Sequence, residues 1–137
     1  MSVSPESPEA VARAFADAIN RQNPGELAEL MTEDHVFIDS LGTRVAGREA
    51  MRAGWNGYFR MVPDYSITVT ETYGAGAVVI LLGTAQGTLA VDGRLPPENR
   101  WQTPAAWRAE IRGVQVAAWR VYADNEPIRQ LLARHRK

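Results

Sequence analysis

The chain has 137 residues, a net charge of −1 and no cysteine, with 45% apolar and 23% charged residues. These values indicate a single globular domain spanning residues 1–137, with a core over about 8–134, and they exclude disulfides. The charge lacks the basic excess that attracts nucleic acid, and no apolar stretch approaches the ~20 residues of a membrane span.

Three helices and one short strand are predicted in the first half of the chain. Ser7 caps a first helix and Asn23 caps a second, each followed by a proline at the first helical position. A strand follows over residues 35–39, and a third helix runs from Gly47 to Pro63.

The second half of the chain changes to the two-residue period of strands. Strands are predicted over residues 65–70, 77–90, 101–112 and 114–122, and a last short helix opens at Pro127. Early helices and late strands indicate an α+β fold with an antiparallel sheet on which the helices pack.

The register of the last hairpin decides which side chains share a face, because a one-residue slip moves every side chain to the opposite face. A tight turn at 112–113 places Trp107 on the face of Arg120. One more loop residue places Trp107 with Ala117, Trp119 and Val121. We favour the second register, because burying an unpaired arginine is costly.

Three segments together carry a family resemblance: Phe37-Ile38-Asp39, Val45-Ala46-Gly47-Arg48, and Trp119-Arg120-Val121-Tyr122-Ala123-Asp124. The chain resembles the nuclear transport factor 2-like superfamily, and within it the SnoaL-like and ketosteroid isomerase-like group, over residues 8–134. The resemblance implies a cone-shaped, curved antiparallel sheet closed by three N-terminal helices, with a short C-terminal helix. It also implies an apolar interior pocket and often a dimer built on the sheet.

The resemblance assigns few catalytic groups. Asp39 matches the general base of the isomerases, whereas their helix-one tyrosine falls at Phe15, which has no hydroxyl. The acid of the cyclases and the second aspartate of the epoxide hydrolases both fall at Val121. Tyr58 is a candidate donor that could replace the missing tyrosine, and Asp39 has an alternative role as a turn residue that accepts hydrogen bonds from Leu41 or Gly42.

Aromatic and aliphatic side chains could line the pocket, since ligand pockets are mostly apolar. Plain core packing is the alternative for each of them. The ligand-binding candidates are Phe15, Ile19, Trp55, Phe59, Trp101, Trp107, Trp119 and Val121.

Two functions remain open at this point. One is a cofactor-independent isomerase, dehydratase or lyase that uses Asp39 as a base on an apolar carbonyl or polycyclic substrate. The other is a non-catalytic carrier of a small apolar ligand. Neither needs a cofactor, and the two distant histidines predict no metal site.

The long strand is apolar on both faces, with Val78, Ile80 and Leu82 on one and Val79 and Leu81 on the other. One face must meet the helices, so the second predicts a homodimer, unless the C-terminal helix covers it. We expect no nucleic-acid or membrane partner, and a cytoplasmic location, because residues 1–8 lack the basic start and apolar run of a secretory signal.

Overall fold

The computed structural model describes residues 7–134. The prediction of a cytoplasmic location depends largely on residues 1–6, which lie outside the described residues. The helices are α1 (Pro8–Arg21), α2 (Pro24–Glu29), α3 (Arg48–Met61) and α4 (Glu126–Arg134), with a short 3₁₀ helix at Pro97–Asn99. The strands are β1 (Met31–Ile38), β2 (Arg44–Ala46), β3 (Ser66–Ala75), β4 (Val78–Thr88), β5 (Arg100–Arg112) and β6 (Gln115–Ala123).

The two predicted helix starts are confirmed by their caps. The Ser7 hydroxyl accepts a hydrogen bond from the Ala10 N–H, and the Asn23 side chain accepts one from the Glu26 N–H. Each cap pairs a backbone donor that has no partner within its helix, so it fixes where the helix begins.

The six strands form one open sheet in the order β2-β1-β6-β5-β4-β3. The prediction of an antiparallel sheet is wrong at one position, because β1 pairs with β6 in parallel. The three N-terminal helices that the resemblance implies interleave with the sheet, since β1 and β2 precede α3. β1 begins at Met31, four residues earlier than expected, and the strand β2 was not predicted.

In the last hairpin Trp107 and Trp119 share a face, as predicted, but a bulge in β6 rather than a longer turn places them there. Trp107 pairs with Val121, and Ala109 pairs with Trp119, so both tryptophans lie on one face. The register shifts between Glu110 and Ile111, where β6 carries one extra residue, Ala117. Without this bulge the pairing near the turn would place Trp107 opposite Arg120. The expectation that Ala117 joins Trp107 is therefore wrong.

The helices cover one face of the sheet, which we call the inner face. Val79 and Leu81 are fully buried there, and Leu131 of α4 belongs to the same core cluster. Val78, Ile80 and Leu82 lie on the opposite, outer face and are half-buried. α4 therefore packs into the core rather than covering the outer face. Within residues 7–134, no helix is long and apolar enough to cross a membrane.

Candidate functional site

Aromatic rings fill much of the inner face, and their contacts form two groups. The first group joins α1 to the sheet. The ring centroids of Phe15 and Trp119 lie 4.6 Å apart, those of Trp107 and Trp119 lie 6.5 Å apart, and the ring of His35 stacks on Phe15 at 5.9 Å. All four of these side chains are fully or almost fully buried.

The second group surrounds Trp55 on α3. Its ring centroid lies 5.4 Å from that of Phe59 and 6.0 Å from that of Phe37. Tyr65 approaches Trp55 at 6.5 Å and Trp101 at 6.0 Å. The rings from α3, β1 and β5, together with Tyr65, thus form one apolar cluster.

Three tryptophans of these groups carry buried polar atoms without partners. The indole N–H groups of Trp55, Trp101 and Trp119 make no hydrogen bond with any residue between 7 and 134. Tryptophan N–H groups usually find an acceptor when they are buried. These three donors therefore lack the acceptor that buried polar groups usually have.

Two tyrosine hydroxyls lie within the second group. The rings of Tyr58 and Tyr65 meet edge to face with centroids 5.0 Å apart. Burial raises the pKa of both phenols well above the usual range, and the proximity of Tyr58 raises the pKa of Tyr65 further. Both hydroxyls therefore stay protonated at neutral pH and can donate hydrogen bonds.

His35 presents a buried acceptor beside Phe15. Its Nδ1 lies 2.7 Å from the carbonyl oxygen of Val116, and because a carbonyl only accepts, Nδ1 carries the proton. The Nε2 lone pair is buried and has no partner in the described part of the chain. Burial lowers the pKa of His35, so the ring is neutral near pH 7.

Asp39 follows β1 at the start of the β1–β2 turn and is half-buried. Its Oδ1 accepts hydrogen bonds from the backbone N–H groups of Leu41 and Thr43, both at 2.9 Å. Its own N–H donates to the Thr43 carbonyl at 3.0 Å, so the strand pairing continues to this residue. Oδ1 of Asp39 therefore organises the turn.

The structure brings most of the predicted pocket residues together. Phe15, Trp107 and Trp119 share the first ring group, while Trp55, Tyr58, Phe59 and Trp101 share the second. Ile19 is a fully buried core residue of α1, and Val121 packs half-buried beside Trp107.

Sequence reasoning missed three site residues, Phe37, Tyr65 and His35. The alternation of Tyr65 with Ile67 was a usable signal for Tyr65, whereas the packing of His35 against Phe15 depends on the tertiary fold. In residues 7–134, no group of three His, Asp or Glu side chains could hold a metal ion.

The comparisons with known proteins agree with this architecture. The model of the SnoaL-like domain matches residues 12–125. No curated protein sequence matches the chain. A Catenulispora acidiphila protein with a ketosteroid isomerase-like fold, solved with trimethylamine, is 24% identical over 85% of this chain and 86% of its own, with a TM-score of 0.72.

Two further solved structures are similar in fold. IdmH from Streptomyces antibioticus, a candidate polyketide cyclase, is 20% identical over 93% of this chain and 99% of its own, with a TM-score of 0.76. An LEH-like epoxide hydrolase of M. tuberculosis is 16% identical over 93% of this chain and 90% of its own, with a TM-score of 0.75. At these identities the similarity shows the fold and not the reaction.

Proposed function

Because this chain belongs to the SnoaL-like domain family, we propose that its inner face binds a small apolar molecule that carries an oxygen acceptor. The observation that supports this most is the set of unpaired, buried indole N–H groups of Trp55, Trp101 and Trp119. Each buried donor without a partner costs about 1–3 kcal/mol. That is a substantial part of the 5–15 kcal/mol by which domains are typically stable. A ligand oxygen would recover this energy.

The composition of the inner face favours an uncharged ligand. Among residues 7–134, no Asp, Glu, Lys or Arg side chain is buried. An ionic ligand group would therefore lose its hydration without gaining a charged partner. The hydroxyls of Tyr58 and Tyr65 supply further neutral donors, and Tyr58 is the candidate that would orient a carbonyl oxygen.

The catalytic form of the proposal assigns proton transfer to Asp39. Its Oδ2 would take a proton from the carbon next to a carbonyl group and return it elsewhere on the substrate. This supports isomerisation, dehydration or elimination of an acidic substrate. The second candidate function is a carrier without chemistry, favoured by the use of Oδ1 in the turn.

Tryptophan-to-phenylalanine variants test the binding proposal, because phenylalanine keeps an aromatic ring and removes the N–H donor. Native mass spectrometry with a panel of uncharged cyclic ketones and alcohols identifies a ligand, and quenching of tryptophan fluorescence measures its affinity. We expect Trp55→Phe and Trp101→Phe to weaken binding about tenfold, the loss of one hydrogen bond that cannot be replaced. Trp107→Phe is the matched control, because the Trp107 indole N–H is not among the buried, unpaired donors. Equal affinity in all three variants would contradict the proposal.

We also propose a homodimer formed through the apolar stretch of β4 on the outer face. Val78, Ile80 and Leu82 form this half-buried patch, and α4 packs elsewhere. Contiguous apolar patches of this kind usually mark association surfaces, and two-fold symmetry is the commonest arrangement. A charge at Ile80 tests the interface, whereas one at Leu81 would enter the core.

A further inference from the structure

Three arginines lie in one row across the outer face, away from the inner site. Arg44 of β2 pairs with Ile38 of β1, Ile38 pairs with Arg120 of β6, and Arg120 pairs with Arg108 of β5. Arg120 and Arg108 are therefore directly opposite each other. Like charges at such positions are destabilising unless something of opposite charge lies between them or beside them.

The carboxylates near this row compensate only part of its charge. Arg108 pairs with Glu110, and Arg112 pairs with Asp34 at 3.0 Å. Arg44 and Arg120 form no ion pair with any carboxylate of residues 7–134. Four arginines against two carboxylates leave a positive surplus on a chain whose net charge is −1.

Arg120 is the more buried of the two arginines of this row that form no ion pair. Its Nε is buried and has no hydrogen-bond partner in the described part of the chain. Its guanidinium lies 5.0 Å from the ring centroid of Tyr122. A cation–π contact holds the guanidinium in place but supplies no acceptor for its N–H groups. The guanidinium is thus held beside Tyr122, and its Nε–H lacks an acceptor.

The row lines a groove of about 350 Å³, which we call the arginine groove. This is the lower end of the size range of small-molecule sites. The apolar residues that line it are Val36, Ile38, Ala117 and Ala118. Ala117 is the bulge residue of β6, so the irregularity that turns Arg120 outward also contributes to the groove. The positive charge of Arg120 beside these apolar side chains is complementary to an anion that has an apolar body.

We propose that the arginine groove binds a small organic carboxylate, with the carboxylate on Arg120 and its apolar body against the alanines. Guanidinium groups bind carboxylates with two parallel hydrogen bonds, which suits the unpaired donors of Arg120. Arg44 adds a second uncompensated positive charge to the same groove. A second copy of the chain is a poorer occupant of the groove itself, because two-fold packing there would bring the same positive surplus together twice. The proposed dimer patch on β4 lies beside the groove, next to Arg108. This site is separate from the proposed inner ligand site.

Benzoate is the probe, and benzamide, which has nearly the same shape without the charge, is the matched control ligand. Backbone amide shifts in ¹H–¹⁵N NMR spectra at low ionic strength locate binding at millimolar concentrations. We expect benzoate to shift amides of β5 and β6 around Arg120 and Arg108, and benzamide to leave them unchanged. Arg120→Gln should weaken benzoate binding about tenfold or more, and 0.5 M NaCl should weaken it as well.

Two more variants keep the test interpretable if Arg120→Gln lowers stability. Arg44→Gln changes an exposed side chain of the groove and should weaken benzoate binding by a smaller factor. Arg60→Gln, on the exposed side of α3, should leave it unchanged. Benzoate shifts confined to the inner ring groups, or equal binding by all variants, would overturn the proposal. Equal binding of inorganic phosphate would overturn the organic class, and a dimer that Arg120→Gln dissociates without benzoate binding would assign the groove to an interface.

Discussion

The two roles open to Asp39, turn residue and base, can be separated by two substitutions at the same position. Asp39→Asn keeps an Oδ1 that accepts hydrogen bonds and removes the charge and the basicity. Asp39→Ala removes the oxygen itself, and with it the bonds from the N–H groups of Leu41 and Thr43. Comparing the two variants therefore separates the role of Asp39 in the turn from its role as a base.

The structure sets the expected size of each effect. Two hydrogen bonds to a half-buried side chain contribute about 0.5–1.5 kcal/mol each, and partial exposure favours the lower end. We expect Asp39→Ala to cost about 1–2 kcal/mol in the free energy of unfolding. Asp39→Asn should cost no more than about 0.5 kcal/mol, because both bonds persist.

Urea unfolding followed by far-UV circular dichroism measures both values, and turnover of any substrate found by screening tests the chemistry. If Asp39 is the base, Asp39→Asn should lower turnover about 10²–10⁴-fold while the protein stays folded. Undiminished turnover in this variant would refute the catalytic assignment. Equal destabilisation by Asn and Ala would refute the structural reasoning, since it would show that the charge rather than the two bonds holds the turn.

Three further perturbations test the packing, the dimer and the buried histidine. Gly83→Ala should destabilise the fold by at least about 3 kcal/mol, because a Cβ would lie 1.7 Å from the carbonyl oxygen of Thr68. The control Gly57→Ala meets nothing within 4 Å and should stabilise α3 by about 1 kcal/mol; similar urea midpoints for the two would contradict this. Ile80→Asp should turn a dimer into a monomer in sedimentation equilibrium at tens of micromolar, and a wild-type monomer there would rule the dimer out. Burial lowers the pKa of His35, so the unfolded chain takes up the proton first. Stability should therefore fall as the pH falls below about 6.5. His35→Gln, which can still donate to the Val116 carbonyl, should lose less stability between pH 7 and pH 5, and an unchanged pH profile would count against the argument.

The features that sequence reasoning predicted correctly depend on local chemistry. Ser7 and Asn23 cap helices because a short polar side chain pairs a nearby backbone donor, and this can be read from a few residues. Alternating apolar residues likewise indicated which side chains of β4 and β5 share a face. The resemblance, carried by short segments along the chain, then indicated the SnoaL-like family. Most of the aromatic residues of the two ring groups were named from these facts together, but Phe37 and Tyr65 were not.

The pairing of distant strands was decided only by the tertiary structure. Chain order does not state that β1 lies beside β6 in parallel, because that contact joins segments about eighty residues apart along the chain. The same contact places Arg120 between Ile38 and Arg108, and so creates the arginine groove. The two-residue period of the strands does not predict this groove, since each arginine alone is typical of an exposed strand position.

The extra residue of β6, Ala117, shows most clearly which features depend on the sequence and which on the tertiary structure. The sequence by itself determined that Trp107 and Trp119 belong in a core and that Arg120 does not, because burying an unpaired cation is costly. The turn at the end of the hairpin, with Arg112 opposite Gln115, would alone have placed Arg120 opposite Trp107. The bulge at Ala117, which moves Arg120 off the face of Trp107, could be seen only in the folded sheet. It depends on two conditions that hold together: β6 forms hydrogen bonds along both of its edges, and Trp119 packs on Phe15.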